Sequence, residues 1–320
     1  MECTLLEVED SLRGLSASTI ARFEALLDRE LTDHPPDIVF TFGALSWEEE
    51  WRKKARRHGA AVVFGLRNLA YLRAHPGYFY PSGGVDAVLA CSDFVLNRYR
   101  AFHGGRWAAL PTPLDFDEVL APEPQERIFV TYINPSVAKG VMFFARLAEE
   151  LGRRRPDLPM LVIEGRSQSD TLLDAAALGG FDLTRHESLM VSPLVAQPRD
   201  IFRVARLVVM PSVWAEPSGR TAAEALVNGI PPIVSDRGGL PETCGAGGFV
   251  LPLPTNLTMK SARPVPAENV REWYELIERL CDDDEFYEMA CNKARAASVP
   301  YRPENLAPRY REFFSSITRC

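Results

Sequence analysis

The chain has 320 residues, 46% of them apolar and 25% charged, with a formal net charge of −7. That is the balance of a soluble globular protein of about two domains. Its acidity argues against a nucleic-acid groove, and no apolar run approaches the ~18 residues that span a bilayer.

The elements alternate along the chain. Residues 18–30 read as a helix, 37–42 as a buried strand, 47–58 as a helix, 61–66 and 86–91 as strands, and 94–102 as a helix. Pro111, Pro113, Pro122 and Pro124 then crowd a stretch with little periodicity, which reads as a linker. Strands follow at 128–133, 160–164, 189–192, 207–210, 233–235 and 249–251, with helical stretches between most of them. Residues 267–318 read as helical, broken at Pro300 and Pro303. Such alternation implies parallel sheets covered on both faces, with ligands at the carboxyl ends of the strands. The loops after residues 133, 164, 194 and 210 form that rim. Glu2, Glu7, Glu9 and Asp10 oppose a signal-peptide reading, and the six cysteines lack metal-ligand spacing. A cytoplasmic location with free thiols is therefore expected. Basic clusters at 52–57 and 153–155 fall on or beside helices and read as solvated faces, with peripheral membrane contact at 52–57 as the alternative.

The densest chemical signal is 211–236. An apolar strand runs into a Pro/Ser/Gly loop, then a helix-forming stretch closed by Gly229, then a second short strand. Glu216 and Glu224 flank the point where loop becomes helix. Hydroxyl acceptors thus stand beside the free amides of a helix start, where phosphate is favoured. A sugar activated by a nucleotide needs both. The plainer reading of Thr221-Ala-Ala-Glu224 is a capping box with Thr221 at the N-cap. It accounts for neither Glu216 nor Gly219.

This stretch, with Gly238-Gly-Leu-Pro-Glu242 beyond it, resembles the donor-site signature of retaining glycosyltransferases of family 4, within the glycosyl transferases group 1. The likeness runs from about residue 37 to the C-terminus. It implies a GT-B fold: two Rossmann-like parallel-sheet α/β domains facing a cleft, with C-terminal helices. On that basis 1–115 is an acceptor-side domain, 116–300 the donor domain, and 301–320 a helix returning to the first domain. Family members open with a strand and a glycine-rich loop. No such pattern occurs in 1–40, so the first domain is expected to be reduced, whether naturally, as a fragment, or by a downstream start.

The resemblance also assigns residues. Lys139 matches the lysine that faces the donor diphosphate, while Tyr132 or Asn134 stands where an arginine is usual, and Arg166 or Arg220 could supply that charge. Glu224 is expected on the ribose hydroxyls and Glu216 on the transferred sugar, making Lys139 and Glu216 the catalytic pair. Asn134, Arg166 and the backbone of Ser218, Gly219, Arg220 and Thr221 complete the donor site, and the loop after Leu194 flanks the base. Arg67 and Asn68 are the acceptor-side candidates; the usual histidine is absent there, and His75 lies nearby. Retention needs no separate base, since the leaving phosphate oxygen can take the acceptor's proton. Asp115-Phe-Asp117 sits at the domain junction and Asp282–Glu285 reads as a helix start, so no metal and no other cofactor is expected. The partners implied are a nucleotide sugar and an acceptor that is a glycan, a lipid-linked sugar or a small metabolite, and no nucleic acid. The alternatives are a nucleotide-sugar-binding protein without transferase activity, and an epimerase or phosphorylase on the same fold.

Overall fold

The computed structural model describes residues 16–42, 46–70, 84–102, 104–122, 126–261 and 263–317. His75 therefore lies outside the described residues. The chain forms two compact units, one of residues 1–91, 95–110 and 309–320, the other of 92–94 and 111–308.

In the first unit, helix α1 (Ala17–Asp33) is capped by Ser16, whose hydroxyl accepts the Thr19 amide at 3.2 Å. Strand β1 (Ile38–Thr41), helix α2 (Ser46–Arg57) and strand β2 (Ala61–Leu66) follow, then β3 (Ala87–Ala90), helix α3 (Asp93–Tyr99) and β4 (Arg106–Ala109). The strands form one parallel sheet in the order β1-β2-β3-β4. Every residue of β2 is buried, which explains its unbroken apolar run, since a parallel sheet is covered on both faces. Val63, Ala87, Leu89 and Leu110 pack with Phe313 of the C-terminal helix Pro303–Ser315. Leu31, Ala55, Ala60 and Val62 form a second cluster with α1 and α2.

The basic run on α2 corrects the solvated-face expectation. Arg52 is buried against Glu48 and the Phe64 ring. Lys53 pairs with Glu49 and Glu50, Lys54 with Asp28, and Arg56 with Asp86. Most of the run is thus neutralised within its own unit. The 153–155 cluster is likewise paired: Arg153 with Glu150, Arg154 with Glu278, and Arg155 with Asp157 and Asp282.

The second unit begins with a single turn, α4 (Phe116–Val119), inside the proline-rich stretch. Asp115 caps it by accepting the Asp117 amide, so this apparent metal motif serves as a turn. The chain continues through β5 (Phe129–Ile133), α5 (Val141–Arg154), β6 (Met160–Ile163), α6 (Asp170–Leu178), β7 (Leu189–Ser192), α7 (Pro198–Phe202), β8 (Ala205–Met210) and α8 (Arg220–Val227). Then come β9 (Pro232–Ser235), α9 (Leu240–Cys244), β10 (Phe249–Leu251), α10 (Arg271–Asp282) and α11 (Asp284–Ala297). Asp283 caps α11 through the Phe286 amide, as its acidic start suggested.

Six parallel strands lie in the order β10-β9-β8-β5-β6-β7. Along β8 the side chains alternate between two cores. Leu207 and Val209 join the cluster built on Phe143, Phe144, Leu147 and Trp273, while Val208 and Met210 join Phe202, Ala222, Ile230 and Val234 on the other face. Tyr132 stacks on Phe144 with ring centroids 4.0 Å apart, seating α5 on β5. From β5 the chain winds outward through β6 and β7, then returns to β8 and winds the other way. The crevice beyond β5 and β8 is therefore the sheet's switch point, where doubly wound sheets bind ligands.

Candidate functional site

A cavity of about 450 Å³ opens at this switch point. Its apolar wall includes Ile163, Leu194, Ile201 and Val209, and its polar wall Asn134, Lys139, Glu164, Arg166, Ser212 and Thr221. These come from the ends of β6 and β8, the loops after β5, β6, β7 and β8, helix α7 and the first turn of α8.

The loops after β5 and β8 are stitched together. The amides of Val213 and Trp214 both donate to the Ala138 carbonyl at 3.1 Å. The buried Tyr132 hydroxyl donates to the Lys139 carbonyl at 3.1 Å. Gly140 has φ 80°, and a Cβ there would lie 1.8 Å from the Pro211 carbonyl oxygen, so only glycine permits this approach.

Stitching brings the Lys139 ammonium to 2.5 Å from the Glu216 carboxylate. Glu216 is buried and also accepts the Ser212 hydroxyl at 2.9 Å, while the Ser235 hydroxyl donates to the Ser212 carbonyl at 2.7 Å. Ser212 carries no sequence signal beyond following a proline at a strand end; only its place beside Glu216 reveals it. A Cβ at Gly238 would sit 2.3 Å from the Glu216 carbonyl oxygen, and Gly239 donates its amide to that oxygen at 2.7 Å. The double glycine thus lets a second segment lie directly on the Glu216 backbone.

Helix α8 corrects the capping-box reading. Its N-cap is Gly219, left-handed at φ 77°, and no side chain caps the helix. Glu224 instead accepts Arg220 Nε at 2.8 Å. Burial pushes the Glu224 carboxyl above its ordinary pKa, and Arg220 partly offsets this. The free amides at the start of α8 are therefore unclaimed by a side-chain cap, as an anion site requires.

The sequence candidates thus fall into groups. Asn134, Lys139, Arg166 and Thr221 share the cavity wall, and Glu216 joins them through Lys139 and Ser212. Ser218, Gly219, Arg220 and Glu224 follow on around the start of α8 but do not line the cavity. Arg67 and Asn68 follow β2 in the first unit. The Arg67 guanidinium lies 5.8 Å from the Phe42 ring centroid, and Asn68 accepts the Ala70 amide at 2.8 Å. Among the described residues no cluster of His, Cys, Asp and Glu could hold a metal ion, and no helix is long and apolar enough to cross a membrane. Among the described residues, Cys244, Cys281 and Cys291 form no disulfide.

The family model for glycosyl transferases group 1 matches residues 116–297, more than half of the chain. The chain belongs to this family. Solved structures similar to this group 1 glycosyltransferase include a glycosyltransferase from Rickettsia africae, at 15% identity and TM-score 0.71, covering 98% of this chain and 84% of that one. Anabaena HepE, crystallised with UDP and glucose, is similar at 17% identity and TM-score 0.68, with coverage of 94% and 82%. A sucrose-phosphate synthase from Thermosynechococcus elongatus is similar at 16% identity and TM-score 0.67, with coverage of 93% and 79%. At such identities the likeness establishes the two-domain GT-B fold. A comparison with curated proteins finds no match.

Proposed function

We propose that this chain transfers a sugar from a nucleotide-diphosphate sugar to an acceptor with retention of configuration, as a family 4 enzyme that needs no metal. The observation that carries the reading is the Lys139–Glu216 pair, a buried carboxylate 2.5 Å from a lysine at the wall of a switch-point cavity. Donor complexes of HepE, one of them with UDP-glucose, support the donor class.

Transfer requires the diphosphate to leave as negative charge grows on it, so fixed donors aimed at that charge lower the barrier. Lys139 supplies a cation and the amides of 218–221 supply dipoles at the start of α8. Bound diphosphate competes with Glu216 for Lys139 and frees that carboxylate for the hydroxyls of the transferred sugar. Glu224 accepts from the ribose hydroxyls, and Leu194 and its loop flank the base. The departing phosphate oxygen takes the acceptor's proton on the face it leaves, which gives retention without a general base. The chain's own cations and amides carry the charge that a divalent ion carries elsewhere. Arg67 and Asn68 are proposed for the acceptor side, and the acceptor itself, a glycan, lipid-linked sugar or small metabolite, is left open.

Thermal-shift screening of UDP-, GDP- and ADP-sugars tests this reading. One base series should raise the melting temperature, by an amount that grows with the logarithm of ligand concentration over Kd, and released nucleoside diphosphate should accumulate slowly without acceptor. Stabilisation without any turnover would instead indicate a nucleotide-sugar-binding protein.

A further inference from the structure

Three cations stand on the candidate donor site, and two are already spoken for. Lys139 pairs with Glu216 and Arg220 with Glu224. Arg166 lines the same cavity as Lys139, yet among the described residues it has neither an ion pair nor a hydrogen bond. Its neighbour Glu164 forms no ion pair with it, and that carboxylate instead accepts the Ser169 amide at 2.7 Å at the start of α6. Of the three cations, only Arg166 has no anionic partner among the described residues when a diphosphate arrives.

Asn134 ties the loop that carries Arg166 to the end of β5. Asn134 is the sole non-glycine residue with positive φ (61°) among the described residues. Asparagine tolerates that conformation better than most residues, but a left-handed residue at a site wall points to a positional demand. Its amide hydrogen bonds to the Ile163 carbonyl at 2.8 Å, and its side-chain oxygen accepts the Ser167 amide at 3.2 Å. Between those two contacts lie Glu164, Gly165 and Arg166. A Cβ on Gly165 would come within 3.0 Å of the Asn134 side chain, so the glycine and the asparagine fit one another. Asn134 spends its acceptor on this loop.

We infer that Arg166 is the second diphosphate-binding cation of this site, and that Asn134 is a positioning residue that sets the Arg166 loop instead of contacting the donor. The inference rests on the donor reading above and adds to it which side chain meets the charge Lys139 leaves unmatched. Arg166, exposed in the absence of ligand, folds onto the phosphates as they bind. The base and ribose are held elsewhere, so Arg166 discriminates by phosphate count.

Calorimetric titration of the full chain with UDP, GDP and ADP, each beside its monophosphate and nucleoside, tests this. For the base series that binds, Arg166→Ala should weaken the diphosphate about 10- to 100-fold, the range of a charge-assisted hydrogen bond, and the nucleoside less than about twofold. Arg166→Lys should restore part of the loss. Asn134→Gly keeps the positive φ without strain and removes the acceptor, so it isolates the tie to Ser167. It should weaken the diphosphate several-fold in the wild-type background and add nothing in Arg166→Ala, with melting temperatures confirming both folds. Equal losses for nucleoside and diphosphate, or no loss in Arg166→Ala, would overturn the Arg166 assignment while leaving the donor reading standing. Additive losses in the double variant would overturn the role of Asn134. Failure of the wild type to bind any of the three series would remove the donor reading and this inference together.

Discussion

The two ion pairs at the candidate donor site are held differently. Lys139 and Glu216 stand 77 residues apart, on the loops after β5 and β8, and Glu216 is further fixed by Ser212 and by the glycines laid on its backbone. Arg220 and Glu224 are one turn apart on α8, and the arginine side chain is 55% exposed against 29% for the lysine. A local pair of that kind is worth about 0.3–0.5 kcal/mol and yields readily to a ligand. The first pair is built by the fold and is the pair to which the proposed reading assigns the chemistry. The second is built by one helix, and in it Arg220 partly offsets the burial that raises the Glu224 pKa.

The largest expected effect breaks the first pair. Lys139→Ala should lower the rate of donor cleavage about a hundred- to a thousandfold, the loss typical of one donor aimed at developing charge, with donor affinity changed far less. A turnover assay under saturating donor checks it; a change confined to KM would reduce Lys139 to a binding residue. Glu224→Ala should come next, weakening nucleotide-sugar binding about 10- to 100-fold by calorimetry while the circular dichroism spectrum stays native. Unchanged affinity would strip Glu224 of its ribose role.

Arg220→Ala should cost only a few-fold in affinity near neutral pH, but it should reshape the pH dependence. Burial raises the Glu224 carboxyl and Arg220 opposes that, so removing the arginine raises it further. Binding that needs the ionised carboxylate should then fail at a higher pH as acidity increases. For stability the sign is opposite to that of a salt-bridged acid. A carboxyl raised in the folded state favours folding most below its unfolded pKa, and that advantage fades as pH rises through the folded value. Glu224→Gln should therefore gain in melting temperature relative to wild type as pH climbs out of the carboxylate range. The smallest expected effect is none: full turnover in the presence of a chelator. Abolition by chelation would overturn the metal-independent mechanism.

The sequence carried much of the second domain's fold. Strands at 189–192 and 249–251 match their predicted bounds, because apolar runs between turn residues leave little choice for a parallel strand. The edge strand Arg106–Ala109 was not legible, since an arginine and two alanines in a half-exposed strand carry no apolar run. The turn at Phe116–Val119 was hidden among prolines. At the site, the acids stood out by spacing and the lysine only through the family resemblance, whereas Ser212 did not stand out, because its role comes from a tertiary contact. The capping-box alternative at Thr221-Ala-Ala-Glu224 fails for a local reason: Gly219 takes the left-handed cap, which shifts the helix start by two residues, and Glu224 pairs with Arg220. Arg52 misled because periodicity places a residue on a face without saying that the face is covered.

A crystal structure with the nucleoside diphosphate that binds most tightly tests the central claim most directly. The phosphates should lie between the loops after β5 and β8 and the start of α8, with the Lys139 ammonium moved from Glu216 onto a phosphate oxygen. A nucleotide bound elsewhere, or a Lys139 that stays on Glu216 with the site filled, would contradict it.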